Sequence, residues 1–268
     1  GLQGQNPPTR VAHPDGSSQA IRVAVALLML GRHMGLDRRS LAELALIGLL
    51  ADLGKHRIPG SLLEKPGMLT AEEFQRVKSH VAHSLDLLKG YEGLPVEVEL
   101  AIAQHHERLD GSGYPKGLKG DVISLFGRMA AIADCYTALV SPRAYAIALS
   151  PHDALTNLCE WSGVSFDAPL VEQFTQALSA WPSGTLAELD SGEVAVVMVP
   201  ARKVGDRMQV RVLLDADKQP LTSPKSRFIL GQAQALELQP GQTLLGSLPV
   251  GAYGIRLSDW ANTLMNDA

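Results

Sequence analysis

The sequence predicts a mostly α-helical protein: a helical bundle followed by a small C-terminal β-strand appendage. Three observations carry that prediction. Residues 17 to 181 alternate apolar segments of helical length with capping residues and glycine stops. After Pro182-Ser183-Gly184 the apolar runs shorten, become rich in β-branched residues and are separated by turn signals. The 268 residues are 46% hydrophobic and 19% charged, a composition that supports a buried core and excludes wholesale disorder.

The elements follow in order. Ser17 or Ser18 caps a first helix reaching about Met34, with Gly35 as its stop. Asp37 opens a second, Leu41 to Leu53, apolar on nearly every face and therefore expected at the centre. Thr70-Ala71-Glu72-Glu73 is a capping-box sequence, and its helix is expected to run through His80 to Lys89 and end at Gly90. Pro95 suits the first position of a helix ending at His105-His106. A further helix covers roughly Ser124 to Val140, and Ser150-Pro151 and Asp167 begin two more. Leu186–Leu189, Glu193–Val199 and Met208–Leu214 read as strands, with Phe228–Leu230 as another candidate. The expected division is a linker or appended segment over 1–16, a helical domain over 17–182 and a small β-rich region over 183–268. Residue 1 is glycine and the opening stretch is rich in Gly, Gln, Pro and Ser, so an upstream sensory or receiver domain is expected in the natural protein.

Charge and composition narrow the function classes. Lys and Arg total 24 against 28 Asp and Glu, a net charge of −4, which argues against a protein that coats DNA. Cys135 and Cys159 cannot build a disulfide framework, so a reducing, cytoplasmic location is expected. The longest apolar run, Val23 to Leu30, is far short of the ~20 residues a spanning helix needs. No signal-peptide flanks frame it.

Polar residues inside apolar helix faces are the informative ones. Asp134 ends the run Met129-Ala130-Ala131-Ile132-Ala133, and a carboxylate buried there needs a cation, a histidine or several donors. Asp52 closes the leucine-rich second helix, with Lys55 one turn on. His80 lies in the third helix and His105-His106 end the fourth. Taken singly, each is more often a satisfied core group than a ligand. Together on four successive helices they make a metal site and a plain polar core comparable readings. Directly after the paired histidines comes Glu107-Arg108-Leu109-Asp110-Gly111-Ser112-Gly113-Tyr114-Pro115-Lys116-Gly117-Leu118-Lys119-Gly120. Its glycines allow close backbone approach and its lysines can meet phosphate.

That stretch resembles the signature of HD-GYP domains, the cyclic-di-GMP phosphodiesterase branch of the HD metal-dependent phosphohydrolases. The resemblance extends through Ile123, Arg128 to Asp134, Ala138-Leu139 and Arg143-Ala144-Tyr145, and covers about 17 to 181. It implies an HD-type helical bundle whose His and Asp side chains hold two or three metals, usually iron or manganese. Those metals activate water against a phosphodiester, releasing pGpG or GMP. His80, His105, His106 and Asp134 match family ligand positions, and Asp52 is a further ligand that is also expected to be catalytic together with Lys55. Arg143 corresponds to a phosphate-contacting arginine, with Tyr114 and Lys116 on the nucleotide side. Asp110, Gly111, Gly113, Tyr114 and Pro115 form the loop that the resemblance offers to partners such as diguanylate cyclase domains.

The match is incomplete. The histidine of the family's HD pair is Ala51, the first-helix histidine is Gln19, a second aspartate is Thr137 and a basic residue is Ala146. Each metal needs several N or O ligands, so losing two imidazoles is expected to empty at least one position. The cofactor expectation is thus one transition metal, iron or manganese, or none. The leading functional expectation is an output domain of bacterial cyclic-di-GMP signalling, impaired in catalysis, that binds nucleotide or a partner through the Gly-Tyr-Pro loop. A slow one-metal phosphodiesterase and a purely protein-interacting module are the alternatives. His13, His33, His56 and His152 match no ligand position; His83, one turn from His80, is a weak candidate substitute. Trp161 and Trp181 read as packing anchors.

Overall fold

The computed structural model describes residues 16–141, 148–179, 181–201, 207–230 and 243–257. The chain divides into two compact units, residues 1–146 with 157–177, and residues 147–156 with 178–268. The helical elements are α1 (Gly16–His33), α2 (Arg38–Leu50), α3 (Gly60–Leu63), α4 (Ala71–Lys78), α5 (His80–Leu88), α6 (Val96–Gln104), α7 (Leu125–Leu139), α8 (Pro151–Glu160) and α9 (Ala168–Leu178). Short 3-10 turns cover Leu53–Arg57 and Gly120–Val122. No helix among the described residues is long and apolar enough to cross a membrane.

Local capping sets several starts. Asp37 accepts from the Ser40 amide at 2.7 Å, and Thr70 and Glu73 make both bonds of the capping box. Ser124 caps α7 through the Gly127 amide. In the helical unit α1 packs on α2 and α7, and α6 lies against α5, α2 and α7. Leu27, Leu30, Leu44, Ile47, Ile102, Met129 and Ile132 are fully buried at these contacts.

Two helix boundaries differ from expectation, and both shape the site. The helix expected from Thr70 to Lys89 breaks at Ser79 into α4 and α5. The Ser79 hydroxyl turns back to the Arg76 carbonyl at 2.7 Å, and the His80 ring takes the Val77 carbonyl at 2.6 Å. Side chains thereby claim carbonyls that a continuing helix would use. The second helix ends at Leu50 rather than Leu53, and Asp52 leads into a 3-10 turn.

In the other unit, β1 (Leu186–Leu189), β2 (Val194–Val199), β3 (Arg207–Leu214), β4 (Pro220–Leu230) and β5 (Leu244–Ser247) form one antiparallel sheet in the order β4-β3-β2-β1-β5. Ala187, Leu189, Ala195, Val197, Val210 and Val212 bury one apolar cluster with Trp181, and Leu186, Val194, Val196 and Leu214 bury another with Ile255. Strand β4 is much longer than the expected Phe228–Leu230. It includes Pro220 and Pro224, which an edge strand tolerates where no ladder bond is required.

Candidate metal centre

The site is built where α2, α5, α6 and α7 meet. Ala51 caps α2, and its carbonyl accepts from Ser84 Oγ at 2.7 Å, while Ser84 Oγ in turn accepts from the Gly54 amide at 2.7 Å. This clamp holds the 3-10 turn against α5. It works only because position 54 is glycine, since a Cβ there would lie 2.1 Å from the His80 carbonyl oxygen and 2.4 Å from the Ser84 nitrogen. Asp52 and Lys55 are thereby set beside His80. The Lys55 Nζ donates to Asp52 Oδ2 at 2.6 Å, both side chains being about one-tenth exposed.

The other carboxylate oxygen faces imidazoles. Asp52 Oδ1 lies 3.4 Å from His80 Nε2 and 3.8 Å from His105 Nε2. Each ring places Nδ1 on a main-chain carbonyl, Val77 for His80 and Ile102 for His105 at 2.7 Å. A carbonyl can only accept, so Nδ1 carries the hydrogen and Nε2 of the neutral ring presents a lone pair. Asp52 Oδ1, His80 Nε2, His105 Nε2 and His106 Nε2 are all buried without a hydrogen-bond partner.

Electrostatics favours that state. Burial pulls His80 down to about 4, against the opposing pull of Asp52. Burial and the neighbouring His105 hold His106 well below the ordinary histidine range. Burial alone would raise the Asp52 carboxyl, but Lys55, aided by His105 and His80, outweighs it and keeps the group ionised. Ligating atoms of Asp52, His80, His105 and His106 lie within 4.8 Å of one another. A tetrahedral ion with bonds of ~2.1 Å has ligand–ligand edges of about 3.4 Å, so the spacing of Asp52 from His80 matches and that from His105 is slightly open. Convergent buried donor atoms without partners are what a cation satisfies, and three imidazoles with one carboxylate suit a transition metal. The residues fit such an ion.

Asp134 lies next to this group. Its Oδ2 is 3.8 Å from His106 Nδ1 and has no hydrogen-bond partner, and burial followed by the Asp52 charge raises its carboxyl. Gln19 is buried, and its Nε2 donates to Thr137 Oγ1 at 2.9 Å. The Thr137 hydroxyl reaches the Ala133 and Asp134 carbonyls at 2.9 and 3.0 Å. The amide and the hydroxyl thus partner each other across α1 and α7.

The loop closes over the same histidines. Tyr114 is 5% exposed, with its ring centroid 4.6 Å from that of His106, and the Lys78 ammonium lies over the rings of both Phe74 and Tyr114. The tyrosine is therefore an interior contact of the histidine pair. Asp110, Ser112, Pro115 and Lys116 are exposed. Gly113 presses on the main chain of 106–108, where a Cβ would come within 2.5 Å of Arg108 N and His106 O. His83 bonds Ser79 at 3.2 Å and lies outside the ligand group, while His152 stacks on Trp181 at 4.0 Å in the β-rich unit. Arg143 and Ala146 lie outside the described residues.

Comparison with known proteins gives the family. A model described as the HD domain matches residues 10–170, more than half of the chain. The chain is 33% identical over 243 residues to the cyclic di-GMP phosphodiesterase PA4108 of Pseudomonas aeruginosa, covering 90% of this chain and 56% of that protein. It belongs to the HD-GYP family. The response regulator RpfG of Xanthomonas campestris, also a cyclic di-GMP phosphodiesterase, is 36% identical over 165 residues, covering 60% of this chain and 44% of that protein. The fold is shared with Bd1817 of Bdellovibrio bacteriovorus, an HD-GYP-type protein, at a TM-score of 0.52 and 20% identity over 61% of this chain and 52% of that one. The chain spans about half the length of the curated relatives it matches.

In this HD-GYP chain the reading from residues missed Glu107 and Arg108. Both are 1–2% exposed, and Arg108 lies over the Phe166 ring while donating to the Glu107 carbonyl at 2.8 Å. Two charged residues opening a glycine-rich loop carry no pattern that marks them as buried. Their only signal was position, directly after the histidine pair.

The buried imidazoles make the ion-free HD-GYP fold acid-sensitive. Unfolded, His80 titrates near 6.5; folded, near 4. Between those values the unfolded chain binds the extra proton, so stability falls as pH drops through the window, with His106 acting in the same sense. Asp134, raised in the fold, opposes them singly. Urea unfolding with chelator is expected to give a lower stability at pH 5 than at pH 7.5; a higher one contradicts neutral buried rings.

Proposed function

We propose that this chain is an output domain of bacterial cyclic-di-GMP signalling, with a reduced metal centre, that acts by binding nucleotide or a protein partner more than by turnover. The observation that carries the reading is the Gln19–Thr137 hydrogen bond. Where the family resemblance calls for a ligand histidine and a second carboxylate, this chain has an amide whose Nε2 donates to a hydroxyl. Asp52, His80, His105 and His106 would hold one transition ion, iron or manganese, with Asp134 beside His106. Such an ion supplies Lewis acidity and lowers the pKa of bound water. Lys55 holds Asp52 ionised and offers an ammonium to a phosphate, and Arg143 and Lys116 extend that role. Asp110, Gly111, Gly113, Tyr114 and Pro115 shape the loop, whose exposed members are the surface offered to a cyclase or another signalling protein.

A second reading, a slow one-metal phosphodiesterase, is favoured by the four convergent ligand atoms. Calorimetric binding of cyclic-di-GMP, with hydrolysis followed in added Mn²⁺ and Fe²⁺, separates the two. The expected result is binding with turnover well below ~1 s⁻¹, the low end of ordinary enzymes. Turnover at or above that rate overturns the binding role. If no nucleotide binds with or without metal, while substitution of exposed loop residues abolishes a protein contact, the chain is an interaction module alone.

A further inference from the structure

Glu107 is the acidic group nearest the histidine pair in sequence, yet it is outside the ligand group. Its carboxylate accepts from the Lys116 amide at 2.7 Å through Oε1 and from the Leu118 amide at 2.9 Å through Oε2, and the residue is 1% exposed. One buried carboxylate thus organises the far limb of the loop. The near limb is tied to the same three residues. The Tyr114 amide donates to the His106 carbonyl at 3.1 Å, and Gly113 packs on the main chain of 106–108. From the other side, Arg108 donates to the Glu107 carbonyl at 2.8 Å and reaches the His105 carbonyl at 3.4 Å. The His106 backbone therefore cannot shift without disturbing the loop, and the loop cannot open without releasing His106.

We propose that Glu107 is a positioning residue that couples closure of the Gly-Tyr-Pro loop to ion binding at His106. Charge-assisted bonds from two amides to one carboxylate are stronger than neutral ones, and groups that orient a ligand change metal affinity by about 10–100-fold when removed. The coupling is reciprocal: an ion that fixes His106 favours the closed loop, and a molecule that grips the closed loop tightens the ion. The exposed Asp110, Ser112, Pro115 and Lys116 are where such a molecule would take hold. This inference rests on the ion-binding reading above and adds regulation of that site through its loop.

The test uses the whole chain and Mn²⁺ or Co²⁺ alone, with amide hydrogen exchange across residues 110–120 and titration of the ion as readouts. In the native sequence the ion is expected to slow exchange of the Lys116 and Leu118 amides about tenfold or more. Glu107→Gln, which retains only one acceptor oxygen, is expected to weaken the ion about tenfold and to abolish that response. Glu107→Asp, one methylene shorter, is expected to fall between. A merely structural Glu107 would lower the melting temperature of the variants while leaving the ion affinity unchanged. Equal exchange with and without bound ion in the native chain, or unchanged ion affinity in both variants, overturns the coupling alone. No ion binding by the native chain overturns the coupling and the ion-binding reading together.

Discussion

Asparagine in place of Asp52 is expected to cost the chain its ion and much of its stability, through the two oxygens of one carboxylate. Oδ1 faces the Nε2 atoms of His80 and His105, so the ion loses its only charged ligand in the four-atom group. Removing a group that merely orients a ligand lowers affinity by about 10–100-fold, so loss of the ligand itself is expected to exceed 100-fold in an Mn²⁺ titration. Oδ2 holds Lys55, which is 9% exposed. Stranding that ammonium should destabilise the chelated fold by about 3 kcal/mol, the lower end for breaking a buried pair. Asp52→Asn combined with Lys55→Met separates the effects. Urea unfolding should recover most of the stability in the double variant, while ion affinity stays lost. Unchanged ion affinity in the single variant would remove Asp52 from the ligand set.

Gly54→Ala is expected to have the next largest effect, although it adds only one methyl group. That methyl would meet the His80 carbonyl oxygen at 2.1 Å and the Ser84 nitrogen at 2.4 Å, both main-chain atoms of α5 that cannot rotate away. The 3-10 turn must lift, the Gly54–Ser84 bond is lost, and Asp52 and Lys55 leave His80. Overpacking of this kind typically costs about 1–3 kcal/mol, and here the upper end is expected because backbone opposes backbone. Ion affinity should fall with it. Gly60→Ala is the control: nothing lies within 4 Å of its Cβ position, and a change within about 0.5 kcal/mol is expected. Equal urea midpoints for the two variants would show that the turn is not clamped against α5.

How far the fold was legible depends on how local each determinant is. Asp37, Thr70 with Glu73, and Ser124 mark helix starts because a cap bonds an amide only two or three residues away. The break at Ser79 was not legible. It depends on side chains of Ser79 and His80 choosing main-chain carbonyls over continuation of the helix, in a segment whose pattern is helical throughout. Strand β4 was mostly hidden as well, because its prolines are acceptable only at a sheet edge, a property of its neighbours rather than of its own residues.

The candidate site divides along the same line. Asp52, Lys55, His80, His105, His106 and Asp134 stood out in the sequence because polar groups interrupt apolar helices, and the resemblance gave each a role. Ala51, Gln19 and Thr137 were equally readable as departures, since a missing imidazole is a matter of residue identity. Only the tertiary structure decided that Gln19 pairs with Thr137, that Asp134 lies beside the four converging atoms, and that Tyr114 is an inside surface of the loop. It also decided that Glu107 binds amides nine and eleven residues away. Residue identity determines which atoms can donate or accept. Which of them meet is set by helix ends and loop closure that bring distant segments within 3 Å, and no pattern along a single segment records that.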